Sequence, residues 1–330
     1  MVKDSMESDE RPCRLGVCVM AKKARSAGMK GIITHLNEFQ PDLDVVVFEE
    51  ELVLKEDVEN WPICEFLIAF HSDGFPLEKV QAYSHLRQPV LLCNLERQYD
   101  ILDRRKVLDL LKDNEIPYPE TYYADDNSRI KQDGDQLSFF VEEEEVKTLD
   151  KPFIEKPFNS EDHNVWLYYP YSEGGGVRKM FRKTRKKSSE FVPGEWEIRR
   201  DGSYLYQRMY ESEDRNDIKV YTVGTSFVYA ESRKAPTVDG LVERTVNGKE
   251  VRREVGLSEF ETEIAIKVSS IMQQFICGFD LLRANGESFV IDVNGWSFVK
   301  GNRSYYLATG RLLADWISNH SRFSRVSKSV

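Results

Sequence analysis

The segment Gly278–Gly295 constrains this chain more than any other. Phe279-Asp280-Leu281-Leu282 and Phe289-Val290-Ile291-Asp292-Val293-Asn294 are apolar runs joined through Asn285-Gly286, the pattern of a β-hairpin. Period two puts Asp292 and Asn294 on one face. Asp280 joins them only if the intervening loop has an odd residue count, because a two-residue turn pairs Phe279 with Asp292 and sends the carboxylates apart. Ionised carboxylates within apolar strands are costly to bury unless paired or metal-bound. The expectation is therefore a three-residue loop or a β-bulge, with Asp280 facing Asp292. Two aspartates and an amide oxygen are the hard oxygen ligands that Mg²⁺ takes. The plainer alternative is an exposed hairpin face whose acids are solvated. Ser297 and Lys300 follow directly and put a hydroxyl and a cation beside the same strand.

The rest of the chain divides by pattern. RLGVCVM at 14–20, LDVVVF at 43–48 and FLIAF at 66–70 are short apolar runs, with helical spacing around Met29 to Phe39, so residues 11–120 read as an N-terminal α/β domain. Further helical spacing covers Leu77 to Leu86 and Ile101 to Lys112. The polar, acidic stretch 121–150 reads as a loop or exposed hairpin. Strand-like runs then dominate 151–320, interrupted by one helical stretch near 258–275, which is α+β organisation on an antiparallel sheet. Residues 1–10 and 321–330 read as tails.

At 330 residues the chain is long enough for more than one core. No apolar run approaches the roughly 18 residues of a membrane span, and no secretory signal opens the chain. Five cysteines, an odd number with no C-x-x-C pair, read as reduced core residues of a cytosolic protein, with the nucleus as an alternative. The net charge of −10 argues against nucleic acid or anionic membrane as a partner. Against that acidic background, seven basic residues fall between Arg178 and Lys187, which suggests a specific small polyanion.

A second constellation starts at Phe153-Ile154-Glu155-Lys156-Pro157, runs through His163, and reaches Gly174-Gly175-Gly176. A lysine at the end of a short strand can lean over nucleotide phosphates, and glycines admit close backbone approach. Alone, three glycines are equally a plain hairpin loop, and a single histidine is as readily structural. The order of parts resembles the ATP-grasp fold. More closely, the segments MAKK, VENWP, FHSDGFPL, EKPFNSEDHNVWLYYP, GGG, KVYTVG, AESRKAPTVDG, GFDLLRANG and DVNGWSFVK resemble the kinase domain of the diphosphoinositol pentakisphosphate kinases, from about residue 14 to about residue 310.

That resemblance implies an ATP-grasp fold, with an N-terminal α/β lobe followed by antiparallel-sheet lobes, and binding of ATP with two Mg²⁺ ions. It implies Asp280, Asp292 and Asn294 as metal ligands. Arg104, Lys156, His163, Lys219, Asp280 and Ser297 would contact the nucleotide, with the adenine hinge at Gln207, Arg208, Met209 and Tyr210. The family usually has acidic residues where this chain has Gln207 and Arg208. Lys22, Lys23, Arg182, Lys183, Lys219, Arg233, Arg244, Arg252, Ser297 and Lys300 would meet the substrate, and Lys219, Arg244 and Asp292 would carry catalysis. The implied reaction is transfer of the γ-phosphoryl group to a phosphate, at position 1, of inositol hexakisphosphate or its 5-diphosphate derivative, giving an inositol pyrophosphate. A histidine-phosphatase domain is expected to follow the kinase in full-length relatives, and its R-H-G signature is absent from this sequence. An ATP-grasp carboxylate–amine ligase would need a smaller anion site than this basic set offers. A non-catalytic inositol-phosphate or ATP sensor would have no use for all three metal ligands.

Overall fold

The computed structural model describes residues 12–124 and 127–326, so the expected tail at 1–10, residues 125–126 and residues 327–330 lie outside the described residues. The chain forms two units, one running through Leu95 and resuming at Phe298, the other spanning Glu96–Ser297.

In the first unit, β1 (Arg14–Cys18), β2 (Asp44–Val47), β3 (Phe66–Ala69) and β4 (Val90–Leu91) form a parallel sheet in the order β2-β1-β3-β4. β1 and β3 are buried almost throughout, as strands covered on both faces must be. The helix Ala27–Phe39 starts at Ser26, whose side chain accepts from the Met29 N–H. It lies against the helix Arg303–Val326, and Gly310 permits the contact: a Cβ there would stand 2.8 Å from Leu36 N. The sequence placed the boundary near residue 120 and read 321–330 as a tail. The division instead falls at Leu95, and the last helix, running through Val326, belongs with the N-terminal sheet.

In the second unit, β5 (Thr121–Tyr123) precedes a three-stranded antiparallel meander of β6 (Ile130–Asp133), β7 (Gln136–Val141) and β8 (Glu144–Asp150). β9 (Phe153–Pro157), β10 (Val165–Tyr168), β11 (Val177–Thr184), β12 (Lys187–Val192) and β13 (Tyr204–Arg208) join β5 in an antiparallel sheet, order β12-β11-β10-β9-β13-β5. The core beside it gathers Leu137, Phe139, Leu149, Phe153, Tyr168 and Tyr206. The acidic stretch is thus a structured meander that buries Leu137, Phe139 and Leu149 and turns Glu142–Glu145 to solvent.

β14 (Asn216–Val223), β15 (Phe227–Lys234), β16 (Arg253–Glu254), β17 (Ile276–Ala284) and β18 (Glu287–Gly295) form a second antiparallel sheet, order β16-β15-β14-β17-β18. The helix Glu259–Met272, opened by a Ser258/Glu261 capping box, packs Ile264, Ala265, Val268 and Met272 with Ile218, Val220, Phe279 and Leu281. One face of this sheet is therefore apolar, and period two turns the alternate residues to the other.

The β17–β18 hairpin resolves the loop-or-bulge question. Asn285 (φ 55°) and Gly286 (φ 76°) form a two-residue turn between paired Ala284 and Glu287. Left regular, that ladder would pair Phe279 with Asp292. It stays in register to Leu281↔Val290, then skips Ile291, and Asp280 pairs with Asp292. A single bulge thus does what an odd loop would have done.

Candidate active site

Cross-strand partners share a face, so Asp217↔Arg233, Lys219↔Glu231, Lys219↔Asp280 and Asp280↔Asp292 place six ionisable groups on one face of the β14–β18 sheet. The Lys219 ammonium donates to Asp280 Oδ1 at 2.9 Å and Asn294 Oδ1 at 3.1 Å. Asn294 Nδ2 donates to Asp292 Oδ2 at 3.2 Å, so period two does unite these two side chains. Arg233 reaches Asp280 Oδ2 at 3.3 Å and Asp217 Oδ2 at 3.9 Å. Burial pulls the Asp280 carboxyl up, but the Lys219 and Arg233 charges win and hold it below the usual range. Asp217 goes the other way, to about 6, because burial and the Asp280 charge outweigh Arg233.

No group of three or more His, Cys, Asp or Glu side chains able to hold a metal occurs among the described residues. The candidate set is accordingly two aspartates completed by an amide oxygen. Lys219, a cation set between Asp280 and Asn294, shows that these oxygens can converge on positive charge. Hard oxygen donors of this kind fit Mg²⁺.

The first sheet reaches the same place through Lys156 on β9. Its ammonium donates to Gln207 Oε1 at 2.6 Å and to the carbonyl of Ile291, the bulge residue, at 2.9 Å. Gln207 is oriented by donating to Thr121 Oγ1 at 2.9 Å. Burial pushes the Lys156 pKa down to about 8 despite Asp292 nearby. Arg208 pairs with Glu120, so neither unusual hinge side chain is free for a nucleotide. The Arg208 and Met209 N–H groups are committed to the Glu120 and Pro152 carbonyls, and Tyr210 stacks on Phe289 with ring centroids 5.0 Å apart.

Arg104 binds the loop after β9, donating to the carbonyls of Pro157 (2.7 Å), Asn159 (2.8 Å) and Ser160 (3.2 Å). Its Nε lies 3.9 Å from Asp292 Oδ1. Arg104 Nε and Arg233 Nε are both buried without a hydrogen-bond partner, which leaves cationic donors available to an anion at this site. His163 accepts from Arg182 Nη2 at 2.9 Å, a role for the neutral ring, and burial together with the Arg182 charge holds its pKa down.

The basic positions are distributed unevenly. Lys183 pairs with Glu250, and Arg252 with Glu250 and Glu231. Arg244 is exposed and donates to the backbone carbonyls of Gly248 and Arg185. Ser297 packs on Gly278, where a Cβ would stand 2.6 Å from its own. Lys22, Lys23 and Lys300 belong to the first unit. Sequence reasoning missed the acids that balance these cations: Asp217, Glu231 and Glu250. Period two from Lys219 would have found Asp217, since both alternate with the apolar Ile218.

Solved ATP-grasp enzymes share this architecture. The ATP-grasp ligase PsnB with its minimal precursor matches 94% of this chain and 99% of its own at TM-score 0.54 and 13% identity. Residues 174–310 match the RimK-like ATP-grasp domain, and the chain is an ATP-grasp protein. Residues 13–103 match the diphosphoinositol pentakisphosphate kinase 2 N-terminal domain. An inositol hexakisphosphate and diphosphoinositol-pentakisphosphate kinase of Caenorhabditis elegans is 46% identical over 93% of this chain and 23% of its own length. Another, of Arabidopsis thaliana, is 46% identical over 89% of this chain and 28% of its own. The chain belongs to the diphosphoinositol pentakisphosphate kinase family, and it spans about a quarter of the length of these relatives.

Proposed function

We propose that this chain is the catalytic kinase portion of such a protein and transfers the γ-phosphoryl group of ATP to the phosphate at position 1 of inositol hexakisphosphate or its 5-diphosphate derivative. The observation that carries this is the ionisable face of β14–β18, where two opposed aspartates, an amide, Lys219 and Arg233 meet Lys156 from the other sheet.

The acceptor is a phosphate already ionised near neutral pH, so no general base is required, and catalysis reduces to alignment and charge management. Asp280, Asp292 and Asn294 would hold two Mg²⁺ ions, which supply charge neutralisation at the β- and γ-phosphate oxygens. Lys156 and Arg104 bind and orient the donor phosphates, with the spare Arg104 Nε offering a donor at that end. Lys219 bridges the two halves of the reaction: released from Asp280 and Asn294, its ammonium is placed to screen repulsion between donor and acceptor. Arg182, Lys183, Arg233, Arg244, Arg252 and Ser297 make up the substrate-binding set of the second unit, and the family resemblance gives Lys22, Lys23 and Lys300 of the first unit the same role. Among the described residues no helix is long and apolar enough to cross a membrane. An odd number of cysteines with no C-x-x-C pair supports a cytosolic setting.

Asp292→Ala tests the reading. The side chain sits at the rim of the face, 37% exposed, so the variant should fold with an unchanged melting temperature and lose turnover. Transfer of labelled phosphate from ATP at near wild-type rate would overturn the assignment. NMR of the wild-type product checks the position phosphorylated.

A further inference from the structure

The loop between β15 and β16 carries a carboxylate that the reaction above does not use. Glu250, with its side chain 18% exposed, accepts from the Lys183 ammonium through Oε1. Through Oε2 it accepts from Arg252 Nε at 3.2 Å and Nη2 at 3.0 Å. It therefore ties the basic hairpin β11–β12 to the strand entering β16. Burial tends to raise its pKa, and Lys183 and Arg252 together hold it below the ordinary range, so Glu250 is an anion here.

A second acid, Glu231, also binds Arg252, but its situation differs. Its side chain is 6% exposed, lies within β15, and accepts from Tyr221 Oη at 3.1 Å. Arg252 Nη1 is held by this pair, with Tyr221 Oη at 3.2 Å, and remains anchored whatever happens at Nε and Nη2. Glu250 thus occupies Nε and Nη2 of the guanidinium and pairs with the Lys183 ammonium. Both cations belong to the set proposed above for substrate phosphates. A carboxylate brings two oxygens and one charge, whereas a phosphate brings three and a charge of about −1.5 to −2 near pH 7. A phosphate is the better partner for this pair of cations.

We infer that Glu250 is a resident stand-in for one substrate phosphate. It keeps Lys183 and Arg252 oriented and neutralised while the pocket is unliganded, and an incoming inositol phosphate displaces it. The inference rests on the reading of Lys183 and Arg252 as substrate ligands. Its signature is a sign: a carboxylate that competes with substrate weakens binding, so removing its charge strengthens it.

The test is calorimetric binding of inositol hexakisphosphate to the folded chain, wild type and Glu250→Gln, alongside Lys183→Ala and Arg252→Ala. Glu250→Gln keeps the side chain's shape and removes the charge. It should tighten binding by about ten-fold, the equivalent of one modest charged hydrogen bond no longer having to be broken. KM for ATP should stay within about two-fold of wild type, while both alanine variants weaken hexakisphosphate binding. Unchanged or weaker binding in Glu250→Gln, with both alanine variants weakened, overturns the stand-in and leaves the pocket intact. No change in any of the three overturns the pocket reading itself. Should Glu250→Gln not fold, Glu250→Asp serves: its shorter arm cannot span both cations, and weaker binding there counts against the inference.

Discussion

Lys156 offers the sharpest test of the proposed nucleotide end of the site. Its ammonium is bonded to two neutral oxygens, Gln207 Oε1 and the Ile291 carbonyl. Burial takes its pKa from 10.5 to about 8, with Asp292 opposing. That drop corresponds to on the order of 3 kcal/mol of penalty on the charged form. Below pH 8 the folded and unfolded chains both hold this proton, and folding bears the whole penalty. Between pH 8 and 10.5 the unfolded chain binds more protons, so this contribution to stability rises with pH across that window. A triphosphate beside Lys156 restores the charged form. Above pH 8, nucleotide binding must then take up a proton, and Kd should climb by up to about ten-fold per pH unit. Calorimetry with a non-hydrolysable ATP analogue, at pH 7, 8 and 9 in two buffers of different ionisation enthalpy, measures the uptake directly. Wild type should approach one proton at pH 9. Lys156→Met should lose that uptake and bind roughly 10- to 100-fold more weakly at pH 7. The same proton uptake in wild type and Lys156→Met would refute the argument.

Three further predictions concern the frame. Glu155 is fully buried against Arg199, so Arg199→Met should cost about 3–5 kcal/mol in urea unfolding, and less at pH 5 than at pH 8, because the stranded acid can then protonate. Burial tends to raise the Glu261 pKa, but Arg283, the Ser258 N–H and the Ser288 hydroxyl bring it from 4.5 to about 2. Glu261→Gln should cost roughly 3 kcal/mol above pH 4.5, with the deficit shrinking as pH falls toward 2. At Gly310 an added methyl would stand 2.8 Å from both Leu36 N and the His35 Cβ, so Gly310→Ala should lower the melting temperature by the equivalent of about 1–3 kcal/mol.

The hairpin was legible because its logic is local. An Asn-Gly turn, two apolar runs and the cost of burying carboxylates left only an odd loop or a bulge. Choosing between those was beyond sequence, since Asn285-Gly286 satisfies a two-residue turn by itself and the extra residue, Ile291, looks like any strand isoleucine. The last helix was missed although Tyr306, Leu313 and Ile317 keep helical spacing, because Gly310 and the polar residues between them dilute the pattern. The glycine is there for contact with another helix, a reason that exists only in three dimensions. The cations of the site were visible as residue types. Their partners were not, because Glu231 meets Arg252 only after β15 and β16 have paired, and Glu250 meets Lys183 from 67 residues away in the chain.

The bulge at Ile291 also has a mechanical side. By stepping out of the β17–β18 ladder, that residue presents its carbonyl to a lysine from the opposite sheet, so the joint that sets the spacing of Asp280 and Asp292 is also a joint between the two sheets. Any parting of the two sheets would pull on that carbonyl. The backbone that spaces the two acids and the carbonyl that holds Lys156 thus belong to the same residue.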